Sequence, residues 1–369
     1  MVRTLPSSGR TSACFRLLVL LFGLLSCLHV ATARPAPAAA SGPHLHQHPD
    51  VATWRAFKHL QDARRGTHMA GIADLKRYLA RFGYMEPRPA HDDAFDEHME
   101  VAVKRYQSRL SLPVTGQLDS ATLGRIMSPR CGVADGGHVH AGHGGAMSVS
   151  LSEKAAVVGR FTFFDGEPRW TSPHPLQLTY AISPTAAAVG YLPPEAVRDV
   201  FRRSFARWAR VIPVEFVESD DDSVHADIRI EFYEGNHGDR SPFDGPGGVL
   251  AHSEAPLYGG IHFDATEYWT VDLDREPAGV AMDLESVATH EIGHVLGLGH
   301  SSSPEAIMYP YIDRGKRKVE LTADDIEGVQ LLYGSNPQFK HSGSPGRFNS
   351  FARSVSLACV ALVMLVTHL

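Results

Sequence analysis

Three histidines and a glutamate within one short stretch are the residues of this 369-residue chain best suited to chemistry: His290-Glu291-Ile292-Gly293-His294-Val295-Leu296-Gly297-Leu298-Gly299-His300. Residues four apart on a helix share a face, so His290 and His294 aim at one point and can grip one ion. Gly297 permits a sharp turn that brings His300 back as a third ligand. Three neutral imidazoles leave a zinc ion cationic with one position open, and Glu291 stands beside it as a base for a water there. Such a set hydrolyses a carbonyl compound such as a peptide: the metal polarises the carbonyl, and Glu291 takes the water's proton and delivers it to the leaving amine. A bare His-Glu-x-x-His also occurs as two structural helix histidines. The added Gly-x-x-His at the end of an apolar helix favours the catalytic reading. Met308, in Ala306-Ile307-Met308-Tyr309-Pro310, would alone be core filler; after the third histidine it packs as a floor beneath the ligands.

The ends of the chain suggest where this chemistry takes place. Arg3 and Arg10, the apolar run Leu17 to Leu28 and Ala31-Thr32-Ala33 form a secretory signal over residues 1–33. Residues 336–353 are a spacer with a possible attachment site around Ser342-Gly343-Ser344, and 354–369 are a hydrophobic tail. That order matches a signal exchanged for a glycosylphosphatidylinositol (GPI) lipid anchor; a retained tail or a plain hydrophobic end is the alternative. Cys14 and Cys27 leave with the signal and Cys359 lies in the tail, so Cys131 stands alone. A lone cysteine in a secreted chain is either a reactive thiol or one occupied by something else. The formal charge of −6, from 35 basic and 41 acidic residues, gives no reason to expect nucleic acid as a partner, since phosphate binding needs a concentrated basic surface.

The intervening sequence supplies the elements that must position these groups. Residues 34–53 read as a flexible segment. Helical spacing then appears in Ile72, Leu75, Leu79 and Phe82, in Phe95, Met99, Val103 and Tyr106, and in Ala121 to Ile126, giving a small three-helix domain over 54–135. Residues 136–157 are glycine- and histidine-rich and read as a protease-accessible link. In 158–335, strand-like patterning over Leu176 to Ile182, Val214 to Val217 and Ala226 to Phe232 alternates with helices from Pro194, Leu284 and Thr322. Thr322 with Asp325 offers a capping pair and Gly334 a stop. The fold class is mixed α/β (α+β).

With these residues in view, the chain resembles a matrix metalloproteinase of the metzincin group, closest to short plant-type members without a hemopexin-like propeller. The zinc segment, the Met308 turn, Pro129-Arg130-Cys131-Gly132-Val133-Ala134-Asp135 and the layout from about 54 to 334 carry the likeness. It implies a five-stranded mixed sheet with three helices, preceded by a peptidoglycan-binding-like inhibitory domain. By the same resemblance, Cys131 donates a thiolate to the catalytic zinc of a zymogen, while Arg130 and Asp135 are the paired charges that hold its loop. Ala134 replaces the family's usual proline. The resemblance assigns His237, Asp239, His252 and His262 to a structural zinc. It assigns Asp244, Asp264 and Glu267, with the carbonyls of Gly245, Gly247 and Val249, to calcium. Asp227 resembles a ligand of a second calcium, although Gly259-Gly260-Ile261 is shorter than the family loop and lacks its acid. Leu250, Ala251, Pro310 and Tyr311 resemble the walls of a cleft that takes an extended peptide with an apolar residue after the cut. The implied partners are extracellular protein substrates and an activating protease. Another metallopeptidase type, or a surface protein with a structural zinc, remain rivals; Glu291 argues against the second, since a structural site needs no base.

Overall fold

The computed structural model describes residues 56–88, 91–136, 160–171, 175–219 and 225–340, all within one compact unit, Pro49–Leu369. The expected signal, the flexible segment, most of the link and the C-terminal tail lie outside the described residues. No helix among the described residues is long and apolar enough to cross a membrane.

Three helices form the first layer because each buries one stripe and carries its own start signal. Helix α1 (Ile72–Arg81) buries Ile72, Leu75, Tyr78 and Leu79. Its first amides are satisfied from outside, Gly71 and Ala73 N–H donating to Asp93 Oδ1 at 3.1 and 2.9 Å. Helices α2 (Glu97–Arg109) and α3 (Ser120–Ile126) begin at Asp96 and Asp119, whose carboxylates accept from Met99 and Thr122 N–H. Caps of this kind are each worth about 1 kcal/mol. The apolar stripes close over one cluster with Phe57, Leu60 and Phe95, and Phe243, Val249, Tyr309 and Tyr311 of the following segment complete it.

The rest of the chain builds a sheet. Its strands are β1 (Arg130–Cys131), β2 (Leu176–Ile182), β3 (Val214–Glu218), β4 (Ile228–Tyr233), β5 (Val249–Ser253) and β6 (Gly260–Asp264), in the order β1-β5-β6-β4-β2-β3. All neighbours are parallel except β5 with β6. The five expected strands are β2 to β6. The sixth is the cysteine segment itself, which lies along the free edge of β5 with Arg130 opposite Val249 and Cys131 opposite Ala251. Two residues carry no periodic signal, which is why β1 cannot be read as a strand from sequence. A small pair, β7 (Trp269–Thr270) and β8 (Met282–Asp283), leads into the metal helix.

Three helices accompany this sheet, as expected. Helix α4 (Pro194–Val211) buries Val197, Val200, Phe201, Phe205 and Trp208, and the Trp208 indole donates to Thr289 O at 2.9 Å, fixing α4 against α5 (Leu284–Val295). Helix α6 (Ala323–Tyr333) starts with the expected capping box between Thr322 and Asp325 and ends before Gly334. The buried Asp325 carboxylate does more than cap: it also accepts from Ile307 and Met308 N–H at 2.9 and 3.0 Å. Replacing Asp325 with Ala strands buried donors on both segments. It should lower stability by about 2–4 kcal/mol, read as a fall in the urea midpoint at unchanged m-value.

Candidate active site

Helix α5 buries every one of its residues, so its histidines work inside the protein rather than on its surface. His290 and His294 Nε2 stand 3.1 Å apart, and His300 Nε2 is 3.2 Å from that of His294. The turn that returns His300 depends on Gly297, at φ +103°, where a Cβ would collide with Pro168 O. Gly293 is equally constrained, because a Cβ there would strike the Met308 sulfur. Met308 is thus under the metal helix as packing, where the sequence expects it.

The outer ring nitrogens decide what the inner ones can do. His290 Nδ1 donates to Ile307 O at 2.7 Å and His294 Nδ1 to Leu298 O at 2.8 Å. His300 Nδ1 meets Asp135 Oδ1 at 2.8 Å. Each Nδ1 is therefore held as the donor, and three Nε2 lone pairs face one another. Burial first, and then neighbouring positive groups, push His290 and His294 well below the ordinary histidine range; burial lowers His300 against the pull of Asp135. The rings are neutral ligands. Tetrahedral zinc with bonds of about 2.0–2.1 Å places its nitrogen ligands about 3.3–3.4 Å apart, so the donor set fits that ion.

Cys131 Sγ completes the group, 3.4 Å from His294 Nε2 and within 4.8 Å of all three ligand atoms. Burial and then Glu291 push this thiol well above its usual range. A cation among the imidazoles is what reverses that penalty. Glu291 is fully buried, and burial raises its carboxyl to about 7 while Ser253 and Cys131 oppose the rise. The Ser253 hydroxyl donates to Glu291 Oε2 at 2.6 Å. Arg130 and Asp135 pair at 2.7 Å and both are buried. Burial acts against the Asp135 carboxylate, but Arg130 and His300 hold it well below its ordinary range.

A second group gathers around Asp239. Its Oδ2 lies 2.8 Å from His237 Nε2, 2.7 Å from His252 Nε2 and 3.0 Å from His262 Nδ1. His237 Nδ1 donates to Gly235 O, and His262 Nε2 faces Glu231 Oε2 at 3.2 Å, which turns the remaining lone pairs inward. Histidines and one carboxylate with no open position fit a closed zinc site. Glu231 escaped the sequence reading because its relation to His262 exists only through the β4–β6 register.

The six residues expected around calcium share one loop region but do not gather as tightly as these two groups. Asp244 Oδ1 accepts from Val249 N–H at 2.8 Å, and Glu267 accepts from Gly247 N–H. Gly245 and Gly247 both adopt positive φ. Asp264 Oδ2 is buried without a hydrogen bond. Burial raises Asp264 to about 6 and Glu267 to about 7, and the nearby Asp244 carboxylate adds to both. Asp227 is engaged elsewhere, its Oδ2 accepting from Thr179 N–H and Oγ1 at 2.7 and 2.8 Å, which ties β4 to β2. No metal-like group among the described residues includes it.

Three of the four expected cleft residues border one pocket. Leu250 and Pro310 line a pocket with His290, Glu291, Tyr309 and Lys318. Ala251 and Pro310 offer carbonyls that accept from Gly132 and Cys131 N–H at 2.7 and 2.9 Å. Tyr311 also borders the pocket, but its hydroxyl is buried against Tyr78, Tyr106 and Arg130 at 3.0, 2.8 and 2.9 Å.

Residues 169–334 match the family model described as matrixin, and residues 68–126 match a putative peptidoglycan binding domain. Metalloendoproteinase 1-MMP of Arabidopsis thaliana is 46% identical over 295 residues, 79% of this chain and 77% of that protein. Metalloendoproteinase 1 of Glycine max is 40% identical over 320 residues, covering 86% and 97%. The chain belongs to the matrixin family. Human Matrix metalloproteinase-20 is 36% identical over 347 residues, 92% of this chain and 57% of that protein. As a matrixin the chain is a zinc metalloendopeptidase, and its two histidine groups are where the metal fits. Metal analysis should find the ion of the first group lost in His294→Ala with the second retained, and the reverse in His252→Ala.

Proposed function

We propose that this matrixin is made as a secreted zymogen, latched by Cys131, which cuts internal bonds of extracellular proteins once the helical domain is removed. The observation that carries this reading is the convergence of Cys131 Sγ with the three Nε2 atoms beside Glu291. Bound zinc supplies Lewis acidity and acidifies its water. Glu291, held by Ser253, takes the water's proton and passes it to the leaving amine. The edge of β5 and the Pro310 carbonyl hold an extended peptide by its backbone, and the pocket beside Leu250 and Tyr309 receives an apolar side chain after the cut.

In the zymogen the same groups are taken. The Cys131 thiolate would take the position of the water, and Arg130, Cys131 and Gly132 use the carbonyls of Gly248, Pro310 and Ala251 that a substrate needs. The protease-sensitive link over 136–157 is the cut site for an activating protease. The N-terminal signal supports secretion, and the C-terminal small-polar-apolar order supports a GPI anchor at the cell surface.

We assign His237, Asp239, His252 and His262 to structural zinc, and Asp244, Asp264 and Glu267, with the carbonyls of Gly245, Gly247 and Val249, to calcium. Buried carboxyls that raise one another's pKa favour a hard divalent cation. Millimolar calcium should raise the melting temperature by several degrees, and Asp264→Asn should remove most of that shift in a thermal scan.

The deciding experiment follows cleavage of a quenched peptide library by the secreted chain before and after thiol capture with a mercurial. Activity should be absent before capture and present after it, and Glu291→Gln should reduce kcat at least about a hundredfold. Equal activity of the treated and untreated chain would remove the latch from this account.

A further inference from the structure

The three imidazoles of the catalytic group are not held alike. His290 and His294 sit on α5 and give their Nδ1 protons to Ile307 O and Leu298 O, carbonyls of the same catalytic segment. His300 lies beyond the helix, after the Gly297 turn, and its Nδ1 partner is Asp135 of the helical domain. The same domain reaches His300 a second time. Arg109, the last residue of α2, donates to the His300 carbonyl at 2.7 Å, beside Thr162 Oγ1 at 2.8 Å. Asp135 is in turn fixed by Arg130 at 2.7 Å and by the Tyr84 hydroxyl at 2.6 Å. Ligand imidazoles normally give their outer N–H to a fixed acceptor, and loss of that acceptor typically weakens metal binding by about 10–100-fold.

We propose that the helical domain has a second role besides blocking the site: through Asp135 and Arg109 it positions His300, so the precursor holds its catalytic zinc more tightly than the thiolate of Cys131 alone would achieve. The domain then serves to retain the metal, and its removal withdraws the outer partner of one ligand at the moment the fourth position opens. Asp135 is a positioning residue for His300, distinct from its pairing with Arg130. The inference rests on the zinc assignment above.

Zinc transfer from the intact chain to a chromogenic chelator tests it without reference to activity. The catalytic-site phase is the one missing in His294→Ala. Asp135→Asn and Arg130→Gln both break the same ion pair and leave Cys131 in place, but only the first removes the carboxylate from His300. Release from Asp135→Asn should be at least about tenfold faster than from Arg130→Gln. Equal rates in the two variants overturn the proposal while leaving the zinc assignment standing. A wild-type chain with no such phase overturns both. Should Asp135→Asn fail to fold, Arg109→Gln carries the test: release at least about threefold faster than wild type supports the proposal, and the wild-type rate overturns it.

Discussion

Three imidazole nitrogens that present lone pairs to one another are the constraint on which the rest of this structure is built. Neutral donors at 3.1–3.2 Å with their opposite nitrogens already committed repel unless a cation lies between them. The architecture holds them there against that repulsion. Trp208 fixes α5 from one side, the Met308 turn supports it from below, and Asp325 ties that turn to the start of α6. Each of these contacts is buried, so the site is rigid because the core is packed and not because the ligands themselves are strong.

Much of this was legible in the chain. The positions of His290 and His294 follow from helical spacing, and the Thr322–Asp325 cap and the Pro194 helix start follow from local rules. What was not legible depends on register or on the meeting of distant segments. Glu231 supports His262 only because β4 and β6 are paired at that offset. Ser253 reaches Glu291 across the gap between β5 and α5, and nothing local marks it. Asp325 could be read as a cap but not as the acceptor of two amides of the Met308 turn. The contact of Asp227 Oδ2 with Thr179 N–H and Oγ1 is a further case, joining residues far apart in the chain that nothing local pairs.

Tyr311 borders the pocket, and its hydroxyl also joins Tyr78, Tyr106 and Arg130 at the helical domain. The shared apolar cluster explains this. Phe243, Val249, Tyr309 and Tyr311 are buried in one cluster with residues of α1, α2 and α3, so the catalytic segment shares an apolar core with the helical domain. The helical domain is therefore held to the catalytic segment by apolar packing as well as by hydrogen bonds.

Arg130 and Asp135 show how such a contact remains releasable. Breaking a buried ion pair is expensive when departure of one partner strands the other, a penalty of about 3–5 kcal/mol. Here both charges lie on the same segment, five residues apart, with the Arg130 guanidinium 3.4 Å from the Phe82 ring of the same domain. When that segment leaves, the two ions reach water together and no buried charge is left behind. What the catalytic segment would lose is spread over several groups: the partners of Tyr311, the carboxylate and the Arg109 donor on His300, and the amides on Gly248, Ala251 and Pro310 O. The ion pair fixes the loop that carries Cys131, and under the proposed zymogen reading it would add little to the barrier for dissociation. A pair split between the two domains would cost far more to separate.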